Sequence, residues 1–194
     1  VGYLGEGGNA VGAQLVGALP GLGGLHAGQM LSQPMKALLL LNTEPVLDAA
    51  DAAAARSALA GSGLVVAMTP FKDLDLGLAD VADVLLPIAP FTETAGTFVN
   101  AEGRVQSFHA VVKPLGEARP AWKVMRVLAN LLGLPGFDFE SSQDVLKQIE
   151  GISGGQVAAT LLSNASDASI QLTSANQAVP AVASIYQLDS LVRR

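Results

Sequence analysis

The chain of 194 residues contains no cysteine, so it offers no thiolate to an iron–sulfur cluster or a structural zinc, and no disulfide to indicate a compartment. Redox metals near it must take their ligands from elsewhere. Histidine is nearly missing too: His26 and His109 are the only two, and neither has the i, i+4 partner of a helical zinc pair. Charge is scarce, at 14% of residues against about a quarter in ordinary soluble domains, which implies that much of the surface faces protein. The net charge of −6 lacks the clustered Lys and Arg that displace counterions from a phosphate backbone, so nucleic acid is excluded as a partner. Long apolar runs are absent. Ala37 to Leu41 and Leu64 to Met68 fall far short of the roughly 18 to 20 residues that cross a bilayer, and Gly2 to Gly28 is glycine-rich without the basic start of a secretory signal.

What is present alternates in kind. Lys36 to Asn42 is a continuous aliphatic run closed by Thr43-Glu44-Pro45, which reads as a buried parallel strand. Asp48 opens an alanine-dense stretch closed by Gly61 and Gly63, the composition of a helix with an acidic start and a glycine stop. Leu64 to Met68 and Val84 to Pro87 come next as second and third strands. Strands alternating with helical segments predict βαβ units: an α/β, Rossmann-like parallel sheet with helices on both faces. Thr97 to Phe108 then predicts an inserted β-hairpin, because two strand-like runs flank the turn formers Asn100-Ala101-Glu102-Gly103. Pro120 at N1 and Gly133 at C′ bracket an amphipathic helix, with Lys123, Arg126 and Asn130 on one face and Met125, Leu128 and Leu132 on another. Ser141 to Asp144 has capping-box form and predicts a short second helix.

From Gly151 to Ser190 only Asp167 and Asp189 are charged, a composition suited to short strands and loops or to an extension lying on a partner. The expected organisation is therefore an α/β domain over residues 1–150 and a low-charge, helical or irregular extension over 151–194. Val1 in place of a methionine, and the ending Val192-Arg193-Arg194, suggest a piece of a longer chain.

Gly5-Glu6-Gly7-Gly8-Asn9-Ala10 has loose dinucleotide-loop spacing, but too few residues precede it for a strand and no acidic residue closes a strand about 20 positions on, so it reads as a tight turn before a helix. Trp122, near a helix start among apolar residues of helical spacing, reads as a packing anchor. Serine hydrolysis has little support. The informative stretch runs from Glu93 to Gln106: Gly96 permits a bend, Asn100 and Gly103 suit turn positions, and Glu102 and Arg104 can exchange charge-assisted hydrogen bonds with neighbours.

That stretch resembles the E-x-x-G-T-x-x-N-x-E-x-R-V-Q signature of molybdopterin oxidoreductases such as formate dehydrogenases and nitrate reductases. The order around it agrees: Ala79 to Pro87 is similar to the family's A-D-V-V-L-P strand, Lys36 to Pro45 to an earlier strand, and Gly116-Glu117-Ala118-Arg119-Pro120 to its G-E-A-R-P turn. Within the family, Glu102-Gly103-Arg104, Pro120 to Val124 and Ile185 to Arg194 most resemble the large iron–sulfur subunit of respiratory NADH–quinone oxidoreductase (complex I). The resemblance implies a subunit of the complex that passes electrons from NADH to quinone, in its peripheral arm on the cytoplasmic face of the bacterial inner membrane. Its partners would be other peripheral-arm subunits, and it would meet the membrane only through them. Iron–sulfur clusters would lie in the parent subunit outside this stretch, and the molybdopterin cofactor would have been lost. The stretch itself would be a structural segment with no catalytic, cofactor-binding or metal residue. The alternative is part of a cofactor-loaded molybdopterin oxidoreductase of the formate dehydrogenase or nitrate reductase type.

Overall fold

The computed structural model describes residues 7–72, 77–161 and 191. Three short strands, β1 (Leu38–Leu41), β2 (Val65–Thr69) and β3 (Val84–Pro87), form a parallel sheet in the order β1-β2-β3. The α/β class expected from the sequence is the class observed. Register pairs Leu38 with Val65, Leu40 with Ala67, and Ala67 with Leu85. These residues point to one face, where they meet Leu59 and Leu78 from the two connections, with Met30, Met35 and Val81 packed around them. Burying each large aliphatic side chain here contributes about 1.5–3 kcal/mol relative to exposure.

The first connection carries α3 (Pro45–Asp48) and α4 (Ala52–Gly61). The alanine-dense helix starts later than composition suggests. Asp51 is the N-cap, its carboxylate accepting the Ala54 N–H at 2.9 Å, whereas Asp48 turns back to accept the Glu44 N–H at 2.7 Å. Ser62 ends the helix, donating to the Ala58 carbonyl and accepting the Met35 N–H. Gly63 then passes so close to β1 that a Cβ there would lie 2.9 Å from the Lys36 carbonyl oxygen. The second connection ends in α5 (Leu78–Val81), and Asp83 anchors the start of β3: its N–H donates to the Val65 carbonyl while its carboxylate accepts the Val65 N–H at 2.7 Å. Beyond β3, Ala89 donates to the Arg119 carbonyl, so the Gly116–Pro120 turn continues the sheet edge.

The hairpin forms as expected, β4 (Gly96–Val99) pairing antiparallel with β5 (Val105–Phe108). Phe98 and Phe108 meet edge to face with centroids 5.3 Å apart. Further along are α6 (Ala121–Leu131) and α7 (Ser142–Lys147). Pro120 proves to be the N-cap of α6 rather than its first helical residue, while Gly133, at φ 71°, takes the C′ position foreseen for it. The polar face of α6 is not simply solvated: Arg126 donates to the Phe139 carbonyl and Asn130 to the Phe137 carbonyl, holding the loop against the helix. The capping box of α7 is present in both directions between Ser141 and Asp144. The Ser141 hydroxyl, with Lys147 beside it, holds the Asp144 carboxyl below the usual aspartate range, so whatever this cap adds is present at neutral pH and fades as pH falls through the lowered value.

Residues after Gly151 begin with a small hairpin, β6 (Ile152–Ser153) and β7 (Gln156–Val157). It is stitched to β5, Val105 donating to Gly155 and Val157 to Gly103. The remainder of the low-charge extension, 162–190 and 192–194, lies outside the described residues.

Candidate functional site

In open α/β sheets ligands bind beyond the carboxyl ends of the strands, which makes that edge the first place to look. β1 is followed by Asn42, which at φ 50° is the one non-glycine residue in the left-handed region among the described residues. Its N–H donates to the Met68 carbonyl. Glu44 comes two residues later, only 8% exposed. β2 ends at Thr69, also buried, whose hydroxyl is engaged with both the N–H and the carbonyl of Phe71. Glu44, Pro45, Arg56, Leu59, Phe71 and Leu78 enclose a cavity of about 10 Å³ at this edge, the room of a single water.

The signature stretch lies elsewhere, and its polar chemistry is spent on backbone. Glu93, in a 3-10 turn, accepts the Leu115 N–H at 3.0 Å and ties the entry of the hairpin to the segment that leaves it. Asn100 accepts the N–H groups of Glu102 and Arg104, at 3.0 and 2.8 Å, shaping the turn around Gly103 at φ 77°. Glu102 and Arg104 are exposed, and among the described residues neither joins an ion pair, so the charge exchange expected of them gives way to the Asn100 turn. Trp122 is half-buried, lining a groove with Ala95 and Ser142, as a packing residue between hairpin and α7 does. His26 caps α2 (Ala27–Met30), its Nδ1 accepting the Gln29 N–H.

Two features escaped the sequence reading. Asn9, inside the glycine-rich start, reaches Val99 of β4: its side-chain oxygen accepts the Val99 N–H at 2.8 Å, and a Cβ on Gly12 would lie 2.2 Å from that oxygen. The Asn9/Gly12 spacing of three was visible, but nothing local pointed across ninety positions. The second is a literal G-x-S-x-G at Gly151 to Gly155. A nucleophile elbow turns from strand to helix, whereas this segment turns from β6 into β7 with Gly154 and Gly155 at positive φ, so its backbone is not that of an elbow.

Comparison with known proteins decides the wider assignment. The molybdopterin oxidoreductase family profile matches residues 1–131. The chain belongs to that family. Among curated proteins, it is 40% identical over 75 residues to YjgC of Bacillus subtilis (strain 168), provisionally named an oxidoreductase; the match covers 39% of this chain and 8% of that protein. Provisionally named formate dehydrogenases of Staphylococcus aureus are similar as well. The one from strain bovine RF122 / ET3-1 is 39% identical and the one from strain USA300 35%, each over 71 residues, 37% of this chain and 7% of theirs. The chain thus matches less than a tenth of the length of these relatives.

Family membership implies a molybdenum-bearing pterin, whose metal would need a ligand side chain. The chain has no cysteine, no three His, Asp or Glu side chains converge among the described residues, and the carboxyl-edge cavity holds about one water.

Proposed function

We propose that this chain is a structural segment of the large subunit of a molybdopterin oxidoreductase of the formate dehydrogenase type, whose metal ligands and substrate groups lie elsewhere in the polypeptide. This reading is supported by the family match over residues 1–131, together with relatives named for oxidoreductase and formate dehydrogenase activity. Glu93, Asn100 and Gly103 serve the backbone of the hairpin, which accounts for a family signature persisting in a stretch without redox ligands.

A second reading is favoured by one observation. The turn position between Glu102 and Arg104 is a buried glycine at φ 77° whose carbonyl accepts the Val157 N–H. A bulkier residue there would be strained, so the Glu102-Gly103-Arg104 turn, which in sequence most resembles the complex I subunit, is built around its glycine. The chain would then be part of the large iron–sulfur subunit of complex I, with its clusters elsewhere in the parent, no molybdopterin, and peripheral-arm partners on the cytoplasmic face of the inner membrane.

Metal analysis of the full-length polypeptide separates the two. About one molybdenum per chain with formate-dependent dye reduction is the expected result for the first reading. Iron without molybdenum, copurifying with an NADH-oxidising assembly, would replace it with the second.

A further inference from the structure

Two hollows open between the hairpin and the helices that follow it, one of about 500 Å³ and one of about 200 Å³, and Ala95, Trp122 and Ser142 line both, so they make one groove. Its size falls in the roughly 300–1,000 Å³ range of small-molecule sites. The two ends differ in kind. At one stand Lys113, Arg119 and Lys123, a cluster of cations in a chain whose net charge is −6. At the other are Val145 and Leu146 of α7, and Ile149 just past that helix, all half-buried.

Most polar groups along the groove are spent within the fold. The Thr97 hydroxyl is bonded to Ser107 at 2.9 Å, Ser142 to Gln143 at 3.1 Å, and Thr94 donates to the Ala95 carbonyl at 3.2 Å. Glu93, the one carboxylate among the lining residues, accepts the Leu115 N–H. Arg119 is committed to its own turn, donating to the Gly116 and Ala118 carbonyls, with Glu117 at 3.8 Å. Lys113 and Lys123 are different. Both are exposed, and among the described residues neither joins an ion pair. The Lys123 ammonium lies 5.4 Å from the centroid of the Trp122 ring, which sets a charge where the apolar stretch begins.

We propose that this groove binds a small anionic amphiphile, a carboxylate or phosphate head on a single aliphatic chain. The head sits at Lys113 and Lys123, and the chain runs past Trp122 to Val145, Leu146 and Ile149. A peptide is disfavoured, because its amides would enter a stretch whose hydroxyls are already paired and would be left without partners. A simple inorganic anion would meet the lysines and leave the apolar end to water, and a neutral lipid would do the reverse. The groove carries this reading by itself, whichever oxidoreductase the longer polypeptide serves.

The probe is decanoic acid bearing a diazirine near its methyl end, photolysed with the full-length polypeptide and the crosslinks read peptide by peptide. Labelling of residues 142–149 is the expected result, erased by excess decanoate or decyl phosphate and not by excess decanol. The double variant Lys113→Gln/Lys123→Gln, altered only at exposed positions, should lose labelling about fivefold at a subsaturating probe concentration, the worth of two exposed ion pairs. Crosslinks only outside this groove, or none, would overturn the proposal. So would decanol competing as well as decanoate, or undiminished labelling of the double variant, since either makes the site merely apolar. Labelling that appears only when the probe is carried in phospholipid vesicles would replace the free amphiphile with a membrane surface and overturn it too.

Discussion

Asn9 is the residue on which the start of the chain depends. It precedes helix α1 (Ala10–Leu15) without capping it, and its amide oxygen is spent instead on the Val99 N–H of the hairpin. Val99 is 4% exposed, so losing that acceptor leaves a buried donor unpaired, at a cost of about 1–3 kcal/mol. Gly12 stands against the same oxygen. Alanine there gains about 1 kcal/mol of helix propensity but pushes Asn9 off Val99, and the larger effect wins. Asn9→Ala and Gly12→Ala should each destabilise the chain in denaturant unfolding. Gly12→Ala introduced into Asn9→Ala should be neutral or stabilising, since the oxygen it would strike is gone; additive losses would show that the contact is not what constrains Gly12.

The hairpin shows how an element can be legible while its chemistry is misread. Its place follows from two β-prone runs around Asn100 to Gly103, and the three strands of the sheet and the helix ending at Gly133 were equally plain, because apolar runs and glycine stops are local signals. Helix starts were less so. Asp48 and Asp51 are both acidic residues before alanines, and only the local backbone path, which turns Asp48 back to Glu44 and leaves Asp51 facing the Ala54 N–H, assigns the cap to the second. Likewise Glu102 and Arg104 look like a pair in sequence, but a tight turn with Gly103 at φ 77° leaves both in solvent while Asn100 does the joining. Asn100→Ala removes the acceptor for two N–H groups and should lower stability by about 1–2 kcal/mol, whereas Arg104→Ala should stay within about 0.5 kcal/mol of the parent. Thermal melts of the two variants check this, and a large loss at Arg104 would reinstate the ion-pair reading.

At the scale of the whole chain, the division at 150/151 suggested by composition meets a contact that composition could not reveal. Charge falls away after Glu150, yet the first residues beyond it complete a β-structure with the hairpin: Val105 donates to Gly155, Val157 donates to Gly103, and Val157 is 5% exposed. An edge strand gains its stability from such pairing, because β5 would otherwise present unpaired N–H groups to water. Parallel strands β1–β3, by contrast, take their stability from the Leu38, Leu40 and Leu59 cluster and share no hydrogen bond with β6 or β7. Ending the chain at Glu150 should therefore act locally. Amide hydrogen exchange is expected to quicken at Val105 and through residues 96–108, with protection in Leu38–Leu41 and Val65–Thr69 retained. If those core strands lost protection in step with the hairpin, the extension and the sheet would form one cooperative unit; if Val105 kept its protection after truncation, the pairing across Gly155 would contribute nothing to the hairpin.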